Sequence, residues 1–301
     1  LQTRGGGGGG NAGTARALRF LDIARQTQIP VADGATTPLV NSGAATKLSG
    51  QQIGIMPWKG AWGGLGSIEH VPATQPPVRK LTEGAPHTTA DALPAAMFLI
   101  REVHAHPHQV TIIAAGPLTN LALAIRIDPT FAETAKQLVF MGGLLDASMM
   151  SVTGNADFAS DFNLIMDPEA AQIALTAPWP AITCVGNVSN DIMMTPELAN
   201  RIDTKHNAVT DYLQKYQAPL PLWDELTSAI AVDPTLITKS VTAIMNVNID
   251  HGMDYGHAHI WPDSTAPKGM GLRKVKIVQS IDKTRFINEF VSQSQNAMGT
   301  H

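Results

Sequence analysis

Three short runs that are apolar on both faces alternate with segments of helical character, and this alternation restricts the possible folds more than any other feature. The runs are QVTIIAAG, QLVFMGG and AITCVG, which span residues 109–116, 137–143 and 181–186. Strands of this kind need cover on both faces, and helices between parallel strands supply it. The sequence therefore predicts an α/β fold whose parallel sheet has helices on both faces.

Composition excludes several classes of partner. The 301 residues carry a formal net charge of −4 without a basic run, so we expect no nucleic-acid partner and no anionic membrane surface. No apolar run approaches the roughly 18 residues of a spanning helix. The single cysteine, Cys184, excludes a disulfide within the chain. The compartment stays open, with the cytoplasm preferred.

The chain opens with LQTRGGGGGGNAG, in which six consecutive glycines favour neither helix nor strand. We expect residues 1–10 to be a truncated or engineered glycine-rich start. Residues 11–301 are then expected to form a single domain.

The stretch GNADFASDFNLIMDPEAA, residues 154–171, combines two kinds of signal. Its DPE, beginning at Asp167, is typical of a helix start, with a capping carboxylate, a proline in the first turn and an acid at the positive end of the dipole. Upstream, Asn155, Asp161 and Asn163 lie beside two aromatic residues. Amide and carboxylate groups next to apolar surface indicate hydrogen bonding to a specific ligand.

The loops that follow the predicted strands are expected to meet at one place. In open α/β sheets, ligands bind at the carboxyl ends of the strands. AAGPLTN, MGG and the loops that hold Asn155 and Asp224 should all open on that edge. The sequence thus predicts a polar site there.

The segments AAGPLTNLALAI, VFMGG and GNADFASDFNLIMDPEAA together resemble the nucleoside hydrolases, which cleave the N-glycosidic bond of ribonucleosides and serve nucleoside salvage. The resemblance implies a Rossmann-like open, mostly parallel sheet with extra C-terminal strands. It also implies a calcium ion at the strand ends, whose shell the ribose hydroxyls complete. A homodimer or homotetramer is expected on the same ground.

The resemblance implies roles for individual residues. Thr119 matches a residue that gives calcium a backbone carbonyl, and Asp224 matches a C-terminal calcium ligand that also takes part in catalysis. Met141 matches a residue that lines the ribose pocket. Asn11 matches an asparagine that contacts the ribose.

Asn155, Asp161 and Asn163 match the ribose-binding loop, and the two asparagines are also expected to act in catalysis. The family usually has Asn, Glu and Asn there, so the shorter Asp161 would need a small backbone shift or a water molecule to reach the 5′-hydroxyl. Glycoside cleavage passes through an oxocarbenium-like state, which carboxylate and amide oxygens near the ring stabilise.

One part of the family pattern is missing. The resemblance leads us to expect an N-terminal aspartate cluster that supplies calcium ligands and the general base, but no aspartate precedes Asp22, which lies within a predicted helix. Either the first β-α unit is absent from this sequence, or the chain is a family member that binds nucleosides without cleaving them. We favour the first alternative.

The dipeptide Trp223-Asp224 indicates the substrate. Family members that accept both purines and pyrimidines usually have a histidine at the first position, whereas tryptophans sandwich the base in the purine-specific branch. The second tryptophan of such a clamp would be Trp58 or Trp62, with Trp62 preferred. The structural alternatives are a core contact for Trp223 and helix caps for Asp224 and Thr119.

Overall fold

Six strands form one sheet in the part of the chain that the computed structural model describes, residues 10–54, 80–143 and 161–299. The spatial order of the strands is β1-β2-β3-β6-β4-β5. In chain order they are β1 (Thr111–Ala114), β2 (Gln137–Met141), β3 (Ile182–Val185), β4 (Ile237–Val247), β5 (Ala258–Trp261) and β6 (Arg273–Ile281).

The sheet divides into a parallel part and an antiparallel part. β1, β2, β3 and β6 pair in parallel with one another in that order, whereas β4 pairs antiparallel with both β6 and β5. All three antiparallel pairing partners come from the C-terminal part of the chain. The Rossmann-like, mostly parallel sheet with extra C-terminal strands is therefore confirmed.

Helices lie before β1, between successive strands from β1 to β4, and after β6. In the described ranges they are α1 (Gly10–Ile23), α2 (Gly43–Ile53), α3 (Ala95–Ala105), α4 (Thr119–Ile127), α5 (Phe131–Thr134), α6 (Phe162–Met166), α7 (Pro168–Thr176), α8 (Pro196–Ile202), α9 (Ala208–Tyr216), α10 (Trp223–Val232) and α11 (Lys283–Gln295). None of the described helices is long and apolar enough to cross a membrane.

Each face of the sheet has its own core. Along β2, Leu138 and Phe140 pack in a cluster with α3, α4 and α7, while Val139 points to the opposite face and packs with α8, α10 and α11. All three side chains are buried. Burial of a large apolar side chain contributes about 1.5–3 kcal/mol. The alternation of side chains along the strand thus explains why helices cover both faces.

The helix start predicted at Asp167 is confirmed. Asp167 is the N-cap of α7, and its side chain accepts a hydrogen bond from the backbone N–H of Ala170. Pro168 occupies the first helical position, where its missing N–H costs nothing. The local sequence alone is sufficient for this boundary.

Other local predictions were wrong. The segment IPVADGA, residues 29–35, was expected to form a short strand but does not, because its backbone groups bind elsewhere: the Val31 carbonyl accepts from the N–H of Asp91, and that of Asp33 accepts from Ala95. α10 begins at Trp223, so Asp224 lies in the first turn and the N-cap is Leu222. Likewise, Thr119 is the first residue of α4, after an N-cap at Leu118.

Candidate active site at the carboxyl edge of the sheet

β1, β2 and β3 run in parallel, so their carboxyl ends lie at the same edge of the sheet. β1 leads through a short turn to Thr119, and β2 ends at Met141. β3 leads to a 3₁₀ turn at residues 187–189, directly before Asn190. The connections after β1 and β2, which the sequence marked as polar, therefore open on the same edge as the connection after β3.

Three of the predicted ribose-binding residues lie together at the end of β2. The side-chain amide of Asn163 donates a hydrogen bond of 3.1 Å to the Met141 carbonyl and approaches the Met141 sulfur at 3.4 Å. The Asp161 carboxylate accepts from the backbone N–H of Asn163 at 2.6 Å and caps α6. All three side chains are buried, which fixes their positions relative to the strand.

Asp167 directly follows α6 in the chain, and its side chain binds Thr119. Its Oδ2 accepts from the Thr119 hydroxyl at 2.6 Å and from the backbone N–H of Leu39 at 3.0 Å. Asp167 is 0% exposed, and burial raises the pKa of its carboxyl, although the hydrogen bonds favour the charged form. We call Thr119, Asp161, Asn163 and Asp167 the Asp167 corner.

Asn120 was missed by the sequence analysis. Its Oδ1 accepts a 2.8 Å hydrogen bond from the backbone N–H of Ala35, and the side chain is buried. A Cβ atom at Gly34 would lie 2.7 Å from the Asn120 amide nitrogen, so any larger residue there would force the Asn120 side chain to move. The Asn of the quoted GPLTN segment was the available signal, and its partner lies 85 residues away in sequence.

A second group lies after β3. The indole N–H of Trp223 donates a 2.8 Å hydrogen bond to Oδ1 of Asn190, and the Leu222 N–H binds the carbonyl of Ile192 at 2.8 Å. The start of α10 is thereby held at the carboxyl edge, and α10 packs across β1 and β2. We call Asn190, Trp223 and Asp224 the Trp223 corner.

Trp223 and Asp224 differ in exposure. Trp223 is 4% exposed, whereas Asp224 is half-buried in the first turn of α10. Burial to this degree agrees with the core contact that the sequence analysis left open. For Trp223 to stack on a base, the groups that cover its ring must move aside when the nucleoside binds.

Some predicted site residues fall outside the description. Asn155, Trp58 and Trp62 lie outside the described residues. Asn11 belongs to α1, but its side chain is not among those described. Their assignments therefore stay predictions.

The described residues do not by themselves form a calcium site. Calcium takes six to eight oxygen ligands, whereas the matched set supplies one carboxylate, from Asp224, and the Thr119 carbonyl. Among residues 10–54, 80–143 and 161–299, one group of three possible metal-binding side chains occurs: Asp203, His206 and Asp211. It contains neither of the predicted ligands. We accordingly derive no reaction step through an ion.

The comparisons with known proteins agree with the sequence motifs. Residues 3–288 match the model of a family described as inosine-uridine preferring nucleoside hydrolase. This match covers nearly the whole chain. The chain belongs to the nucleoside hydrolase family.

Similar proteins occur in fission yeast and plants. The chain is 32% identical over 278 residues to an uncharacterised Schizosaccharomyces pombe protein, covering 86% of this chain and 69% of that protein. It is 32% identical over 202 residues to a probable uridine nucleosidase 2 of Arabidopsis thaliana, covering 67% of this chain and 55% of that protein. The chain thus spans little more than half of the plant relative.

A solved plant nucleoside hydrolase has a similar structure. It superposes with a TM-score of 0.71 at 25% sequence identity, covering 98% of this chain and 88% of the other. The nucleoside hydrolase fold of the chain is therefore established by both its sequence and its backbone.

Proposed function

We propose that this chain hydrolyses the N-glycosidic bond of purine ribonucleosides to ribose and free base. The observation that carries the proposal is the meeting of two motif groups at one sheet edge: the Asn163–Met141 contact after β2, and Trp223-Asp224 beside the loop after β3. Family membership supports N-glycosidic hydrolysis. The tryptophan at the first position of the dipeptide supports the purine preference.

The proposed chemistry places the ribose against the Asp167 corner. Water adds its hydroxyl to the anomeric carbon, the bond to the base nitrogen breaks, and the remaining proton leaves with the base. Amide oxygens of Asn155 and Asn163 and the carboxylate of Asp224 stabilise the oxocarbenium-like state. Asp161 accepts from a ribose hydroxyl. Because Asn163 is anchored to Met141, it needs little reorganisation when charge develops.

The leaving base determines the preference. Trp223 cannot serve as the acid for the leaving base, because an indole N–H is far too weak an acid, and this N–H donates a hydrogen bond to Asn190. Its contribution is stacking with Trp58 or Trp62, which makes protonation of the bound purine easier. Base–aromatic stacking is worth roughly 1–3 kcal/mol per base. A pyrimidine offers less ring area and no imidazole nitrogen to protonate.

A second candidate function is nucleoside binding without cleavage. It is favoured by the small donor set, since Asp224 and the Thr119 carbonyl alone leave calcium short of its usual ligand number. In the first proposal, calcium would bind at these two residues and complete its shell with further oxygens. In the second, the chain retains the ribose and base contacts but does not cleave the N-glycosidic bond.

Two measurements separate the candidates. The full chain is incubated with inosine or uridine, with and without added calcium, and release of ribose is followed by a reducing-sugar assay. Calorimetry measures binding of the same nucleosides. Hydrolysis with a preference for inosine supports the first proposal, and binding of inosine without ribose release supports the second. A chain that neither binds nor hydrolyses inosine would overturn both proposals. Hydrolysis of uridine as efficient as that of inosine would overturn the purine preference.

We also propose that the protein assembles as a homodimer or homotetramer, in line with the expectation from the family resemblance. Light scattering of the purified chain tests this directly. A monomer at micromolar concentration would contradict the proposal without affecting the assignment of the site.

A further inference from the structure

Asn190 is the one residue of the Trp223 corner that the sequence did not mark. We propose that Asn190 is a positioning residue, which orients the Trp223 ring and enriches its electron density, and thereby selects purine bases. The inference rests on the proposed function. It is carried by the 2.8 Å hydrogen bond from the indole Nε1–H to Asn190 Oδ1, between residues 33 positions apart.

The loop that carries Asn190 is fixed to the segment before α10. The Leu222 N–H donates to the Ile192 carbonyl at 2.8 Å, and the Met194 N–H donates to the Leu220 carbonyl at 2.9 Å. Met193 and Pro221 form a bridge between the same segments. The amide and the indole therefore approach each other from two backbones that are held in register.

This hydrogen bond determines which way the indole ring lies. Trp223 is 4% exposed, so an indole that turned over would have little access to water for its N–H. A buried donor without an acceptor is costly, and this penalty holds the ring in one orientation. Asn190 itself is only partly buried and can be changed without opening the core.

The same bond affects the electronics of the ring. Donation from the indole N–H to an amide oxygen polarises the N–H bond and shifts electron density into the π system. A richer π system attracts a cationic ring more strongly. In the proposed reaction the purine becomes protonated, whereas a pyrimidine has no corresponding imidazole nitrogen. The effect of Asn190 should therefore be selective for purines: the ring orientation already acts on binding of the neutral purine, which offers more ring area than a pyrimidine, and the electronic effect adds to it once the purine is protonated.

The test compares side chains of similar size at position 190 that can or cannot accept the hydrogen bond from the Trp223 indole. Asn190→Leu removes the acceptor, and Asn190→Asp keeps one. Binding of inosine, uridine and D-ribose to the full chain is measured by calorimetry for each variant. We expect Asn190→Leu to weaken inosine binding by roughly tenfold, as expected for part of one stacking contact. Uridine and ribose binding should stay within about twofold, and Asn190→Asp should restore inosine binding.

A double-mutant cycle identifies the route of the effect. Trp223→Phe keeps an aromatic ring but has no N–H, so Asn190→Leu should have no further effect on inosine binding in that background. The matched control is Asn288→Leu, because Asn288 is also an asparagine whose Oδ1 accepts a side-chain hydrogen bond, from Arg201, at an exposed position. This control should leave binding of all three ligands unchanged.

Several results would overturn the proposal. Unchanged inosine binding in Asn190→Leu, equal weakening of all three ligands, or an undiminished effect in the Trp223→Phe background each contradict it. If the leucine variant does not fold, Asn190→Ser provides the same comparison, since its hydroxyl is too short to reach the indole. Failure of the proposed function gives a different result from failure of this inference. If Trp223 does not bind the base at all, Trp223→Ala leaves the ratio of inosine to uridine affinity unchanged.

Discussion

The Asp167 corner and the Trp223 corner lie at the same edge of the sheet, but their polar groups are stabilised differently. In the first, a carboxylate that is 0% exposed binds donors from three separate segments. In the second, a neutral and partly exposed amide binds one indole. A buried charge is costly to leave without partners, whereas an amide at the surface can exchange its partner for water. Substitutions should therefore affect stability at the Asp167 corner and ligand selectivity at the Trp223 corner.

The largest expected effect is on Asp167. Asp167→Ala leaves the Thr119 hydroxyl and the N–H groups of Leu39 and Ala170 without their acceptor, so we expect a loss of about 3–5 kcal/mol in the free energy of unfolding. Urea denaturation measures it. The matched control is Asp282→Ala, which removes the N-cap of α11 at an exposed position and should cost only about 1 kcal/mol. Similar losses in the two variants would contradict the contrast between the corners.

Asn163 provides the next largest effect. Asn163→Leu removes the amide that donates to the Met141 carbonyl, and we expect a loss of about 2 kcal/mol, since that carbonyl belongs to a buried residue. Asn200→Leu is the control, because Asn200 accepts a hydrogen bond from Gln214 on the surface. The control should change stability by less than about 0.5 kcal/mol. Chemical denaturation of both variants shows whether burial of the amide makes the difference.

The charge of Asp167 should also make stability depend on pH. Burial raises the pKa of the folded carboxyl above its ordinary value of 3.8, so the folded state holds a proton that the unfolded state has lost. The stabilisation that results from this extra proton is fully present below pH 3.8 and is lost as pH rises through the raised pKa. The free energy of unfolding changes there by at most about 1.4 kcal/mol per pH unit.

Asp167→Asn should remove this dependence. Urea denaturation across acidic pH measures the free energy of unfolding of the parent and of Asp167→Asn. The parent's value should fall relative to that of the variant as pH rises. Contributions from other carboxyl groups cancel in the difference. A difference that does not change with pH would show that Asp167 keeps the same charge state throughout.

The smallest effect is expected at Trp223. Trp223→Phe removes the N–H that binds Asn190, but water can satisfy the partly exposed amide, so we expect a loss of about 1 kcal/mol. Trp179→Phe is a matched change, because the Trp179 N–H donates at 2.8 Å to the Ala174 carbonyl, and Ala174 is fully buried. It should cost more than Trp223→Phe in thermal or chemical denaturation. A larger loss of stability in Trp223→Phe than in Trp179→Phe would mean that the Trp223 corner is as inaccessible to water as the core.

Local patterns in the sequence were sufficient for the regular elements. The apolar runs predicted β1, β2 and β3, and the DPE beginning at Asp167 predicted the start of α7. These features are readable because strand alternation and helix capping involve neighbours within a few residues. The four-residue strand β5 was not predicted, because its pairing with β4 depends on contacts made elsewhere in the chain.

Contacts between distant segments were decided only by the tertiary structure. The sequence by itself determined the α/β class, the family and the motifs that follow the strands. It did not indicate that Asp167 would bind both Thr119 and Leu39, or that Asn190 would bind Trp223. These pairs are 33 to 128 residues apart, and no periodicity relates residues at such separations. Packing the loops at one sheet edge brought them together, because parallel strands end side by side there.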